Sequence, residues 1–344
     1  MKAETLLPLG KLDPGLRAPE ASLDLRTVAS DARLVEELGY HSLLMEETKD
    51  DPFQVLALAA AASERVHVGT SVAIAFARSP FVIAQAAWTA QKISQGRFEL
   101  GLGSQVKGHI RRRFGLPWHP PGPWMRDFVG AVRSIWHSWQ TESPLAYESA
   151  RYNLNLSVPL FTPAPIKCPH IPIQVAAVNP YMAKVAAQVA DGVRLHPVCS
   201  PRYITDVILP AIDPLRGADF EVCLKPLVAA ARTEQELVAR IEVARQRLAF
   251  YCSTPAYSAA FDVFGLQDLC AELAQLARAQ RWDDMATRIS DDLLRTCVVV
   301  ALYDDLAATI RQRYDGMIQR IEVSIPVDTP SDREQLASIV QAIQ

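Results

Sequence analysis

Short apolar runs alternate with amphipathic stretches along most of this chain. Residues 66–103 show it best: an apolar run Val66-His67-Val68-Gly69-Thr70-Ser71-Val72, a loop, a helix opened by Ser79-Pro80, and a second run Arg97-Phe98-Glu99-Leu100 ending in Gly101-Leu102-Gly103. Two strands joined by a helical crossover are the unit of a parallel α/β sheet. In such sheets the chemistry gathers beyond the carboxyl ends of the strands, here Thr70-Ser71-Val72 and Gly101-Leu102-Gly103-Ser104.

The same pattern runs through the rest of the chain. A strand is expected near Glu4–Leu9, then a helix capped by Asp24 with Leu25, Val28, Ala29, Ala32, Val35 and Leu38 at helical spacing, stopped by Gly39. His41–Met45 reads as a strand with Glu46, Glu47 and Thr48 at its end, and Pro52 opens an Ala-rich helix to about Ser63. Further on, strands are expected at Pro172–Ala176, Val193–His196, Val222–Ala230 and Arg320–Ser324, with helices at Pro180–Ala190, after Pro201 and at Glu234–Phe250. Strands near 5, 43, 68, 98, 174, 194, 226 and 322 make eight, the number of a (β/α)8 TIM barrel. A single α/β barrel domain over residues 1–344 is therefore expected, with two segments that break the rhythm. Residues 140–170, after the fourth strand, carry five prolines among Tyr, Asn and Phe and suit an irregular insertion with a hairpin; residues 253–296, after the seventh helix, are polar-helical. Long insertions in compact domains commonly form lids or binding walls.

Composition narrows the setting. At 49% hydrophobic and 21% charged residues the chain is that of a folded protein, and a net charge of −3 gives no electrostatic case for nucleic acid or an anionic membrane. No apolar run approaches a membrane span, and the N-terminus lacks the pattern of a secretory signal. Cys168, Cys199, Cys223, Cys252, Cys270 and Cys297 include no Cys-x-x-Cys pair, so a reducing cytoplasm and no metal site are expected.

The familiar catalytic motifs are missing. Gly101-x-Gly103 fails the dinucleotide fingerprint at its third glycine, and there is no Gly-x-Ser-x-Gly elbow, phosphate-loop lysine motif or His-Glu-x-x-His. A barrel without evident catalytic side chains suggests a bound cofactor that carries the reaction. Against that background, Val68-Gly69-Thr70-Ser71-Val72 with Arg78-Ser79-Pro80, Gly96-Arg97-Phe98-Glu99-Leu100-Gly101-Leu102-Gly103, and Ala190-Asp191-Gly192 after Ala176-Ala177 resemble the bacterial luciferase-like monooxygenase superfamily, in particular its branch of coenzyme F420-dependent oxidoreductases. Gly101–Lys107 with Arg113-Phe114-Gly115-Leu116-Pro117-Trp118, and Ala249–Tyr257, resemble a subgroup of that branch.

The resemblance implies a deazaflavin ring lying across the strand ends, with a non-proline cis peptide backing it at Ser71-Val72. It implies cofactor contacts from Glu47, from Gly101, Gly103 and Ser104 along the ribityl-phosphate chain, from Lys107, and from the turn Ala176, Ala177, Val178 and Asn179. Thr48, Ser104 and His196 are the candidate hydrogen donors to substrate. Thr48 and Ser104 stand where the sugar-phosphate dehydrogenases of the branch carry His and Glu, which argues against their chemistry. A Gly-Pro-like turn usual in the family is missing near Val298–Asp304. The activity implied is hydride transfer between C5 of coenzyme F420 and a small, fairly apolar organic substrate, in a homodimer. The alternatives are an FMN-dependent monooxygenase using O₂ and a barrel that has lost its cofactor and its catalysis.

Overall fold

The computed structural model describes residues 1–11 and 22–344. Eight parallel strands form its frame: β1 (Lys2–Leu6), β2 (Ser42–Met45), β3 (His67–Thr70), β4 (Phe98–Gly103), β5 (Ile173–Ala177), β6 (Gly192–Leu195), β7 (Glu221–Leu224) and β8 (Arg320–Glu322). Each pairs with its sequence neighbours, β1 pairs with β8, and β3 pairs with β4, so the sheet closes into a (β/α)8 barrel.

The crossover helices α1 (Val28–Glu37), α2 (Pro52–Ala62), α3 (Pro80–Ile93), α4 (Pro121–Thr141), α5 (Pro180–Val189), α6 (Pro201–Ile212), α7 (Glu234–Cys252) and α8 (Tyr303–Tyr314) surround it. Their starts follow local chemistry. Asp51, Ser79, Asn179 and Thr233 each accept a backbone N–H of the first turn, and proline follows three of the four, where its missing N–H costs nothing. The first helix begins later than expected: Asp24 accepts from Arg26, and Thr27, whose side chain caps nothing, stands at the N-cap. The apolar core lies between strands and helices, with Leu43, Phe98, Leu100, Trp88 and Phe128 fully buried in it.

Strand seven is a correction. The apolar run 222–230 breaks at Lys225-Pro226: Glu221–Leu224 stays in the barrel, while Leu227–Ala231 leaves it and pairs in parallel with Val298–Leu302. The proline has no N–H for a ladder, so the run cannot continue as one strand. The stretch read as a lost turn is therefore the partner strand of a small outer sheet. Between them, 253–296 folds into short helices, and 140–170 contains the antiparallel pair Tyr147–Glu148 and Asn153–Leu154. Among the described residues no helix is long and apolar enough to cross a membrane.

Inside the barrel the lower half is ionic. Arg320 Nη1 donates to Glu99 at 2.6 Å and to Glu4 at 3.1 Å, and its Nε donates to Glu221 at 2.6 Å. Arg194 reaches Glu4 through two nitrogens at 2.9 and 2.7 Å, and Lys2 reaches Glu221 at 2.8 Å. Buried charges survive only when paired and hydrogen-bonded, and here three cations meet three carboxylates. Arg320→Met keeps the volume but leaves Glu4, Glu99 and Glu221 short of a partner. Urea unfolding at pH 7 is expected to show a loss of about 3–5 kcal/mol. The loss should shrink near pH 4, where the abandoned carboxylates can take up protons; a deficit equal at both pH values would contradict the ionic reading.

Candidate active site

The carboxyl ends of the strands meet at one face, and its shape is set at β3 and β4. Val68 and Gly69 pair with Phe98 and Glu99, and beyond the mouth Ala73 and Ile74 pair with Leu102 and Gly103. Four steps along β3 thus match three along β4: one extra residue forms a bulge, and within it the Ser71–Val72 peptide is cis. The glycines of β4 make room for it. A Cβ on Gly101 would stand 2.0 Å from the Thr70 carbonyl oxygen, and one on Gly103 would stand 2.5 Å from Val72 Cγ2. Their freedom from side chains is therefore spent on admitting the bulge, with Thr70 Oγ1 donating to the Gly101 carbonyl at 2.7 Å to close the seam.

From behind, the bulge is strapped by β2. The Glu47 carboxylate accepts from Ile74 N at 2.6 Å and from Arg78 Nη1 at 2.7 Å, and Arg78 Nη2 donates to Asp51 at 2.9 Å. Phe76, in the following turn, stacks on Trp124 at 3.8 Å, and the Trp124 indole donates to Tyr152 of the first insertion.

Other expected residues are distributed around this rim. Ser71, Val72, Ser104, Ala176 and Val178 are half-buried. Thr48 and Lys107 are exposed; Arg113 donates to the Thr48 carbonyl at 3.3 Å, and Lys107 opens a six-residue helix, Lys107–Arg112. Asn179 Oδ1 accepts from Met182 N at 2.9 Å, so its oxygen is engaged in capping α5. The Val178 carbonyl accepts from the Tyr203 hydroxyl.

His196, at the end of β6, packs against Tyr257 at 4.3 Å and Tyr251 at 4.9 Å, which brings the second insertion to the mouth. Burial, with the charge of Lys225 adding to it, pushes the His196 imidazole down to about 4. Val198 N donates to its Nδ1 at 3.4 Å, which leaves the hydrogen of the neutral ring on Nε2.

Beside this lies a cleft of about 250 Å³ between α7 and the ends of β1, β2, β7 and β8. Lys225 bridges Glu46 at 3.0 Å and Glu322 at 3.2 Å along it; burial works against the lysine charge, but Glu322 and Glu46 hold it above the usual lysine range. Tyr251, Tyr257, Glu46, Lys225 and Glu322 had no assigned role in the sequence reading. The one usable signal was Pro226, which marks Lys225 as the end of a barrel strand.

The profile of the luciferase-like monooxygenase family matches residues 7–320. The chain belongs to that family. Among its relatives, an uncharacterised protein of Mycobacterium tuberculosis is 36% identical over 92% of this chain and 94% of its own length. A second protein of that organism, provisionally named a coenzyme F420-dependent oxidoreductase, is 27% identical over 96% of both chains. Coenzyme F420 dependent tetrahydromethanopterin reductase from Methanopyrus kandleri shares the fold with a TM-score of 0.74 at 17% identity, covering 99% of this chain and 98% of that one.

In this luciferase-like barrel the rim beside the bulge carries small or medium residues (Ser71, Val72, Ser104, Ala176, Val178), and Gly101 and Gly103 lie beneath Thr70 and Val72. Such a surface fits a flat ring laid against it.

Two outcomes follow from this geometry. Gly101→Ala forces the Thr70 carbonyl aside and is expected to cost about 2–3 kcal/mol in denaturant unfolding. Gly108→Ala, on the short helix with only the flexible end of Arg112 at 3.5 Å, should cost nothing. For His196, whose folded pKa is depressed, the unfolded chain binds more protons between pH 6.5 and about 4, so stability falls as pH drops through that window. His196→Phe keeps a ring on Tyr257 and removes the titration. Its pH–stability curve should be flatter there by roughly 2–3 kcal/mol, and a curve parallel to the parent's would refute the buried neutral imidazole.

Proposed function

We propose that this chain is an oxidoreductase that uses coenzyme F420 to move a hydride to or from a carbon of a small, fairly apolar organic substrate. The observation that carries the reading is the one-residue bulge at Ser71–Val72 seated on Gly101 and Gly103, which leaves a rim of small residues at the strand ends of a luciferase-like barrel. The relative provisionally named for coenzyme F420 over nearly the full length supports it. When bound, the deazaflavin supplies the hydride acceptor or donor at its C5.

The chain's own residues do the positioning. Ser71 and Val72 would back the ring and Ser104 would border its ribityl chain, while Gly101 and Gly103 act one step back by admitting the bulge. Lys107 and the backbone of Ala176, Ala177, Val178 and Asn179, at the start of α5, would meet the phosphate. Glu47 acts one step back: its carboxylate is taken by Ile74 N and Arg78, so it orients the bulge. Val72, Ala176 and Val178 with the rings of Tyr251 and Tyr257 offer an apolar wall that excludes water from the reacting carbon.

Thr48, Ser104 and His196 are the hydrogen donors to substrate. His196, neutral and carrying its hydrogen on Nε2, orients a carbonyl or hydroxyl oxygen without delivering a full positive charge. The two insertions, 140–170 and 253–296, wall the mouth of a single domain. Cytoplasmic residence and a homodimer complete the proposal, the latter checked by light scattering of the purified chain.

Titration of the purified protein with coenzyme F420 and, separately, FMN decides the reading. Saturable quenching of deazaflavin fluorescence with no FMN binding is the expected result. Arg78→Met, which frees Glu47 and the bulge, should weaken F420 binding by about tenfold or more, since an orienting partner has been removed. Retention of FMN alone would replace the proposal with an O₂-using monooxygenase, and retention of neither with a barrel that does no redox chemistry.

A further inference from the structure

At the opposite end of the barrel, the amino ends of β2, β3 and β4 bring together three side chains that the cofactor chemistry does not use. His67 and Glu99 face inward from β3 and β4, and His41 precedes β2. The two imidazoles stack at 4.7 Å with a 25° interplanar angle. His67 Nδ1 lies 3.1 Å and His41 Nε2 4.0 Å from Glu99 Oε1, and all three atoms lie within 4.8 Å of one another.

Each of the three atoms is buried and none makes a well-aligned hydrogen bond; the one close approach is the His67 Nδ1–Glu99 Oε1 pair, which, against the effect of burial and together with Arg320, holds the Glu99 carboxyl below the usual carboxylate range. Glu99 itself is only 2% exposed, and its other oxygen is held by Arg320 at 2.6 Å, which leaves Oε1 on the side of the two histidines. A buried carboxylate oxygen and two buried imidazole nitrogens gathered within 4.8 Å, with His41 Nε2 left 4.0 Å from its nearest acceptor in the trio, form an incompletely satisfied set that a single ion would complete. The charge of Arg320 is already met by Glu4 and Glu221, as is that of Lys2 by Glu221.

We propose that His41 Nε2, His67 Nδ1 and Glu99 Oε1 form a binding site for a divalent first-row transition metal such as Zn²⁺ or Co²⁺. Two imidazoles and one carboxylate select this class over Ca²⁺ and Mg²⁺, which prefer all-oxygen cages, and over Cu⁺, which prefers sulfur. Tetrahedral coordination with bonds of ~2.1 Å spaces ligand atoms by ~3.4 Å and puts the ion in the plane of each imidazole, so binding requires the two rings to swing out of their stack, which the partly exposed positions of His41 and His67 allow. Entry is open, because the His41 and His67 side chains are 22% and 36% exposed at the barrel's floor. Three protein ligands leave a fourth position for water. The ion would tie β2, β3 and β4 together below the ionic lattice, at the end of the barrel away from the mouth.

The test uses the full chain, stripped with chelator and titrated with CoCl₂, then competed with ZnCl₂. One Co²⁺ per chain is expected, with the visible d–d bands of a low-symmetry site that Zn²⁺ abolishes, and a raised thermal midpoint. His41→Ala and His67→Ala, both at partly exposed positions that a folded spectrum will verify, should each weaken binding beyond the ~10–100-fold that loss of an outer partner costs. His137→Ala, on the exposed face of α4, should change nothing. Co²⁺ lost on desalting from the parent chain, or retained with the same spectrum in both histidine variants, overturns the site and assigns the trio to a plain His67–Glu99 ion pair. Because the readout is metal binding, its failure is separate from any failure to bind coenzyme F420.

Discussion

The Thr70 carbonyl oxygen occupies the volume that any side chain on Gly101 would need, and the mouth of this barrel is arranged around that contact. It follows from a mismatch of one residue between β3 and β4. The surplus residue has to leave the plane of the sheet, and it does so toward β4 only because glycine stands at 101 and 103. Glu47 then has a fixed target, Ile74 N, and Arg78 a fixed carboxylate, so the loop that begins as a defect in a ladder ends clamped on both sides. A bulge with polar clamps behind it and small residues in front is rigid where a ligand would press on it and open where the ligand would lie.

Rigidity at the mouth is matched by a different solution at the floor. A barrel filled by aliphatic layers would be held by packing alone. Here Arg194 and Arg320 cross-link β6 and β8 to β1, β4 and β7 through Glu4, Glu99 and Glu221. Such a lattice adds little net stability over apolar packing, but it penalises any register in which a partner is missing. Glu4 can meet both arginines only if β1 and β8 pair as Lys2 with Arg320 and Glu4 with Glu322. The ionic floor and the glycine seam thus act on the same quantity, strand register, at opposite ends of the same cylinder.

Much of this was legible in the sequence where the cause is local. Alternating runs and helix-opening residues such as Pro52, Ser79-Pro80 and Pro180 placed the eight strands and most helices within a few residues. Apart from the late start of the first helix, the errors have nonlocal causes. Residues 222–230 form one apolar run by pattern, yet half of it belongs to another sheet, because its partner Val298–Leu302 lies beyond a long insertion. Gly101 and Gly103 signalled a close approach but not what approaches; the pattern suggested a ligand, and the structure places Thr70 and Val72 there. His41, His67 and Glu99 come from three separate segments of the chain, at the starts of β2, β3 and β4, so no spacing motif could have joined them.

The mouth also limits the kind of chemistry it can assist. His196 is neutral across the physiological range, the Asn179 oxygen is committed to its helix, Glu47 to the bulge, and Lys225 to Glu46 and Glu322. With Lys107, on its exposed helix, given to the phosphate in the proposed reading, what remains near the rim is a set of neutral donors, Thr48, Ser104 and His196 Nε2, and a backbone turn. A reaction that develops a large charge on the substrate would need a counter-charge that these groups lack. Transfer of a hydride to a carbon whose oxygen needs only a hydrogen bond makes no such demand, provided the ring that exchanges the hydride is held flat. That last condition returns the burden to the seam between β3 and β4, where one backbone oxygen and two missing side chains fix the surface on which the ring would rest.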